Sequence, residues 1–292
     1  MERLTSIDGL KAHLRPGDLL LLDIDETLVR PEPDATEPWF NSLVGILHER
    51  SGVSKGACFM AGVELWQALQ AVCDVKPAEG VSTSAALAAA TAMGVECVGL
   101  TARGPECHEE TEAQLMRCGI FHDVFATTKS IGALAPAAPG ELVEPLTHLR
   151  GIIYCSGSRK PAGLRAFEAA AHIAPDRRVV LLDDREAHCK ALLVDRRSRD
   201  QPFLGLHYAP AGVAEGPVEI SRGWQLLAAA LATPVAGRQR LRRMLDILDR
   251  TDRALPTPLP PPRLDVWSVA LGVLLGAGAG VGATALWTAR RR

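Results

Sequence analysis

Four places in this sequence put charged or hydrogen-bonding side chains directly after apolar runs. In "LLLLDIDETL", residues 19 to 28, four leucines run into Asp23, Asp25 and Thr27. Thr101 follows "VECVGL"; Ser156, Gly157, Ser158 and Lys160 follow "GIIYC"; Asp183 and Asp184 follow "VVLL". A buried strand gains nothing by ending on unpaired negative charge. Either the acids mark strand exits to solvent, or they form a site that needs anions side by side. Taken singly, Thr101 reads as a turn hydroxyl and Lys160 as a solvated surface charge. Taken in series, carboxylates, a hydroxyl and an ammonium make a site for a divalent cation and a phosphoryl group.

Phosphoryl transfer needs an in-line nucleophile and positive charge against the equatorial oxygens. Asp23 is the expected nucleophile, forming an aspartyl-phosphate. Mg2+ is hard and is usually held by one or two carboxylates plus phosphate and waters. Asp23 and Asp183, supported by Asp184 and by the backbone carbonyl of Asp25, make the expected metal set. The Asp25 side chain, two residues on, is expected to turn back toward the site as general acid and then base. Thr101 and Lys160 donate hydrogen bonds and charge to phosphoryl oxygens. With Thr27 and Ala102 they form the expected phosphate-binding set.

The surrounding elements must position these residues. Ser6 to Leu14 reads as a short helix stopped by "RPGD", and residues 19 to 24 read as a strand. Residues 36 to 74 are helical in pattern, with Trp39, Leu43, Ile46 and Leu47, then Val63, Leu65, Trp66 and Leu69 at helical spacings. "STSAALAAATAMG" predicts a helix capped by Ser82 or Thr83, with Gly94 just past its end. Next come a strand in "VECVGLTAR", a helix at about 108 to 118, and a surface loop over "GALAPAAPGELVEP". "GIIYC" is a predicted strand leading to a helix from Pro161 to His172. A strand in "RRVVLLDDRE", a helix through about Val194 and a strand in "FLGLHY" complete the series. Apolar strands alternating with helices predict a doubly wound α/β fold, its parallel sheet covered on both faces. Ligands in such sheets bind outside the carboxyl ends of the strands.

In this order, "DIDET", Thr101 in "GLTAR", Lys160 and "LLDD" resemble the four motifs of the haloacid dehalogenase (HAD) superfamily. The dehalogenases proper lack the second acid, so the resemblance points to the phosphatase branch. Beyond the motifs, "GDLLLLDIDETL", "PWF", "VGLTARGPE", "GIIYCSG" with its lysine, and "FLGLHY" look like the HAD-like family catalogued as domain of unknown function 2608. That likeness covers about residues 5 to 225. It implies a HAD-like Rossmannoid domain over residues 1–225 with a small helical cap inserted at about residues 36–75. It further implies Mg2+-dependent phosphomonoester hydrolysis through phospho-Asp23, on a phosphorylated small molecule or a phosphoprotein. A phosphotransferase or mutase would use the same motifs. From a different class, a membrane-tethered HAD-like domain could hold a phospho-ligand or a protein without turnover. One departure stands out: the third motif is expected to read Lys-Gly, and here it is Lys160-Pro161. Proline favours the first helical position and would keep Lys160 extended, with the lysine's place preserved.

Other residues carry less. Arg103 reads either as steering an anionic substrate or as an exposed loop arginine. Trp39 and Phe40 read as core packing ahead of lining the site. The histidines show no metal-ligand spacing, and His188 is expected on the outer part of a helix. Cys155 has no base beside it in sequence and reads as a packed thiol. Seven cysteines without a C-x-x-C pair predict buried thiols in a reducing compartment and no zinc site. At 292 residues, 47% hydrophobic, the chain can build one large α/β domain or two smaller ones. A net charge of −2 gives no electrostatic case for nucleic acid as a partner.

Past residue 225 the character changes. Residues 226–253, ending in "LRRMLDILDRTDR", read as an amphipathic helix, and 254–265 as a linker with five prolines in "ALPTPLPPPRL". Such a linker is stiff enough to hold a domain roughly 30 Å off a surface. Residues 266–288 read as a transmembrane helix. From Trp267 to Trp287 there are 21 residues without charge, spanning roughly 31 Å, and three arginines follow at 290 to 292. The paired tryptophans favour lipid over a Gly/Ala-rich core helix. Gly272, Gly276 and Gly280, spaced by four, would allow close approach of two such helices and a homodimer. The arginines on either side balance, so a cytoplasmic catalytic domain is expected from the charged N-terminus, which lacks an apolar signal region, and from the free thiols.

Overall fold

Leu19–Leu22 is buried completely at all four positions because both of its faces are covered. Leu20 and Leu22 turn to one core, Leu19 and Leu21 to another. Successive strand side chains point to opposite faces, so a central strand reads as an unbroken apolar run. In the computed structural model, residues 1–32, 37–51, 53–70, 73–125, 129–136, 146–156 and 160–210 are described.

Along the chain these residues form β1 (Glu2–Leu4), a 3-10 helix (Ile7–His13), β2 (Leu19–Leu22), β3 (Val29–Glu32), α1 (Glu37–Ser51), α2 (Lys55–Gln70), β4 (Asp74–Pro77), α3 (Val81–Ala92) and β5 (Glu96–Thr101). A 3-10 turn (Pro105–Cys107) leads to α4 (His108–Arg117), α5 (Phe121–Val124), β6 (Gly132–Leu134), β7 (Leu146–Leu149) and β8 (Ile152–Tyr154). The series ends with α6 (Lys160–Ala170), β9 (Val179–Asp183), α7 (Glu186–Ser198) and β10 (Phe203–Tyr208). Among the described residues the main sheet has the order β1-β10-β9-β2-β5-β8-β7-β6, and β3 and β4 form a small sheet of their own. From β1 to β8 every neighbour is parallel; β7 and β6 run antiparallel at one edge. The fold is α/β with a mostly parallel sheet. Leu87 of α3, Leu115 of α4 and Phe121 of α5 pack on one face, and Leu164 and Phe167 of α6 with Leu192 of α7 on the other.

Several local expectations change. The stretch expected as a loop at 132–145 begins with β6, which pairs with the unforeseen β7 through Leu134 and Leu146; residues 137–145 lie outside the described residues. Three-residue strands carry too little alternation to be seen in sequence. The helix expected at Ser6 to Leu14 is a 3-10 helix, its Ser6 Oγ accepting from Asp8 N at 3.3 Å. Neither Ser82 nor Thr83 caps α3. Gly80 does so at φ +60°, where a residue without Cβ is favoured, and Thr83 Oγ1 accepts from Glu79 N at 2.9 Å. Lys160 is the first residue of α6 and is helical, not extended; Pro161 then falls in the first turn, where its missing N–H leaves no bond unmade.

Gly163 lets α6 lie on β8. A Cβ there would stand 2.6 Å from Cys155 Sγ and 3.4 Å from Ile153 Cγ2. Gly163→Ala is expected to lose about 1–2 kcal/mol, because overpacking outweighs the helix propensity gained. A lower urea midpoint at unchanged slope would show it; an unchanged midpoint would mean that α6 can lift without penalty.

The chain divides into two compact units, one of Met1–Pro31 with Val75–Glu215 and another whose described residues fall in Glu32–Asp74. In the second, α1 and α2 pack on each other. Phe40 meets Phe59 edge-on at 5.2 Å, and Trp39, Leu43, Leu47, Leu65 and Leu69 are buried, so Trp39 and Phe40 serve packing. The seven cysteines are free and buried. Among the described residues no helix is long and apolar enough to cross a membrane. The predicted amphipathic helix, linker and span, with Gly272, Gly276 and Gly280, lie outside the described residues.

Candidate functional site

The strand order reverses beside β2: β5 and β8 extend the sheet one way, β9 and β10 the other. Ligand crevices of open α/β sheets form at such a reversal, outside the carboxyl ends of the strands. Asp23 continues β2, its N–H donating to Leu182 O at 3.0 Å, and Asp183 ends the adjacent β9. After Asp23 the chain turns tightly. Glu26 sits at φ +61°, its N–H donating to Val29 O, while Leu28 and Val29 both donate to Ile24 O. That turn folds Thr27 back under the site.

Lys160 Nζ lies 2.5 Å from Asp23 Oδ1 and 2.6 Å from Asp183 Oδ2. Thr27 Oγ1 donates to Asp23 Oδ2 at 3.1 Å and accepts from Asp184 N at 3.0 Å, tying the two strand ends together. Asp183 Oδ1 accepts from Arg185 N at 2.9 Å, and His188 Nδ1 stands 3.0 and 3.1 Å from the two Asp183 oxygens. Asp23, Asp183 and Asp184 each offer one oxygen, all within 4.8 Å of one another.

Charge is crowded here. Burial pushes Asp184 up to about 8, and Asp23 and Asp183 add to that. Burial also pushes Asp23 up to about 6, against the pull of Lys160 and with Asp183 and Asp25 adding. Asp183 is buried too, yet Lys160 and His188 hold it down at about 2. Burial works against the Lys160 charge, but Asp183 and Asp23 more than offset this and keep it protonated beyond its ordinary range. The Lys160 ammonium touches two of these three acids, and the raised Asp184 and Asp23 mark a group short of positive charge. An all-oxygen donor set of this kind fits a hard divalent cation such as Mg2+. Cys155 is no rival ligand or nucleophile: burial pushes its thiol up to about 12.

Asp25 stands apart from that trio. Arg103 Nη2 donates to its Oδ1 at 2.7 Å and Arg103 Nε to its Oδ2 at 3.1 Å. Arg103 is 1% exposed, which corrects the reading of it as a loop arginine in solvent. Burial opposes its charge, and the Asp25 carboxylate more than offsets that. Thr101 is buried at the end of β5, its Oγ1 accepting from Arg103 N at 3.1 Å, while Ala102 beside it is exposed. Ser156 N donates to Arg103 O at 3.0 Å; Gly157 and Ser158 lie outside the described residues.

Sequence reasoning thus placed Asp23, Thr27, Lys160, Asp183 and Asp184 in one cluster, with Thr101 and Ala102 at the neighbouring strand end. It missed His188, read as outward-facing, and the buried pairing of Arg103. Both carry a spacing signal. His188 lies five residues past Asp183, in the first turn of the following helix, and Arg103 lies two past Thr101, as Asp25 lies two past Asp23.

The family model described as Protein of unknown function (DUF2608) matches residues 3–220. No curated protein and no solved structure matches the chain.

Proposed function

The chain belongs to the DUF2608 family, and from that premise we propose that it is a Mg2+-dependent HAD-like phosphatase hydrolysing a phosphomonoester through an aspartyl-phosphate on Asp23. The observation that carries the reading is the trio Asp23, Asp183 and Asp184, with Lys160 bridging two of them, at adjacent strand ends. In this reading Asp23, Asp183, Asp184 and the Asp25 carbonyl hold Mg2+, which supplies positive charge to the phosphoryl group when bound. The α1–α2 pair, inserted in chain order between Asp23 and Thr101, is the segment that the HAD-like reading assigns as a cap insertion. Residues 266–288 remain the proposed single-pass membrane anchor, with the catalytic domain in the cytoplasm.

The reaction runs in two displacements. An Asp23 oxygen attacks phosphorus and the ester P–O bond breaks, the leaving oxygen taking a proton from Asp25. Water then attacks the same phosphorus, giving its proton to Asp25, and the bond to Asp23 breaks to release inorganic phosphate. Lys160 would give its charge to the phosphoryl oxygens. Thr101 already accepts from Arg103 N, so its hydroxyl proton is available to a phosphoryl oxygen.

Purified full-length chain, assayed with Mg2+ against phosphorylated metabolites and aryl phosphates, tests this. Turnover should need Mg2+ and fall by about three orders of magnitude or more in Asp23→Asn. Turnover that survives the substitution contradicts the assignment. Mg2+ binding with no turnover on any substrate would favour a non-catalytic phospho-ligand domain.

A further inference from the structure

We infer that Arg103 is a positioning residue of the reaction: held from behind by Thr111 and Gln114 of α4, it fixes the Asp25 carboxylate in the orientation that proton transfer requires. The inference rests on the phosphatase reading and assigns a task to residues which that reading leaves idle.

Four of the five guanidinium donors hold Arg103 between Asp25 and α4. Nε and Nη2 donate to the two Asp25 oxygens at 3.1 and 2.7 Å. Nη1 donates to Thr111 Oγ1 at 2.9 Å and to Gln114 Oε1 at 2.7 Å. Thr111 spends its own hydroxyl proton on Cys107 O at 2.7 Å, so a lone pair is what it turns toward Arg103. Thr111 and Gln114 are both buried, three residues apart on one face of α4. The main chain of Arg103 is fixed as well, its N–H on Thr101 Oγ1 and its carbonyl on Ser156 N.

Exposure separates the two partners. The Arg103 side chain is 1% exposed and the Asp25 side chain 30%, so the acid faces the solvent side and its holder does not. An ion pair of two solvated side chains would orient little. A planar fork locked at its far end orients a carboxylate in plane, which a lysine ammonium cannot do. Each carboxyl oxygen keeps a further lone pair, which carries the proton given to the leaving oxygen in the first step and accepts the proton taken from water in the second. Positioning errors of about 1 Å cost roughly a hundredfold in rate, so the α4–Arg103 anchor should set how well Asp25 works without touching substrate.

Leaving groups provide the readout. A general acid matters most when the departing oxygen is strongly basic and least when it leaves readily as an anion. The full-length chain is assayed with Mg2+ on p-nitrophenyl, phenyl and benzyl phosphate, and kcat/KM is followed because it reports the step in which the leaving group departs. For Arg103→Lys the expected loss is about a hundredfold on benzyl phosphate and only a few-fold on p-nitrophenyl phosphate. Asp25→Asn should show the same gradient more steeply, and Gln114→Leu a shallower one. If Arg103→Lys does not fold, as its melting curve will show, Gln114→Leu carries the test alone. Losses that are equal across the three substrates, or that spare benzyl phosphate, overturn the assignment and leave the phosphatase reading intact. An unaltered chain that turns over none of them, nor any phosphorylated metabolite, overturns both.

Discussion

Lys160→Met is expected to destabilise the metal-free protein by about 3–5 kcal/mol, the range for removing one partner of a buried ion pair. Lys160 is 3% exposed and its ammonium touches both Asp23 and Asp183. Methionine keeps the volume but takes away the ammonium that Asp23 and Asp183 share, leaving the three acids with His188 beside Asp183. The carboxylates can relieve this by taking up protons, so the loss should shrink toward about pH 5. Mg2+ should also restore part of it, since a bound divalent cation supplies the missing charge. Urea melts at pH 7.5 with Mg2+ or with EDTA measure both effects. A variant as stable as the unaltered chain in EDTA would show that the acids are not held together by this lysine.

The second large effect is a pH-dependent response to metal. Asp184, raised to about 8, and Asp23, raised to about 6, bind their protons more tightly in the folded state than unfolded. For such acids the folded state is favoured at low pH, and that advantage is lost as pH rises from the unfolded value, about 4, through the folded one. Asp183 behaves oppositely, but its window lies below about pH 4 and does not overlap. Metal-free protein should therefore lose stability between about pH 5 and pH 8. Metal needs deprotonated ligands, so it should help most at the alkaline end. At about a hundredfold excess of Mg2+ over Kd, a Tm increase of about 5–10 °C is expected near pH 8, shrinking toward pH 5. Calorimetry across that range measures it, and Asp184→Asn should flatten the metal-free slope. A Mg2+ effect that is constant or grows toward acid would contradict the account of the acids as ligands.

Why the site was largely legible follows from physics acting at strand ends. A central parallel strand must be apolar throughout, so the abrupt change from Leu22 to Asp23, or from Leu182 to Asp183, is a strong local signal. The carboxyl ends of β2, β5 and β9 then converge without further information. Strands β6 and β7 were not legible: β6 has three residues, and in β7 the two buried positions are Leu146 and His148, so no apolar alternation shows. The cap of α3 was misplaced because serine and threonine hydroxyls look alike whether they cap a helix or bind within it; backbone geometry chose Gly80. Arg103 was misjudged for a related reason. Burial of a guanidinium requires partners at both ends, and Asp25 stands 78 residues away while Thr111 and Gln114 lie on the next helix. His188 escaped because its helix begins at Glu186, which puts residue 188 in the first turn, facing the acid that precedes it.

The central claim is a phosphoryl group carried on Asp23. Full-length chain mixed with Mg2+ and a substrate it turns over, then quenched in acid within a turnover, should yield a phosphorylated peptide whose modification maps to Asp23. Hydroxylamine should convert that residue to the hydroxamate, as an acyl phosphate requires. Turnover with no adduct, or with the phosphoryl group on any residue other than Asp23, would contradict the account.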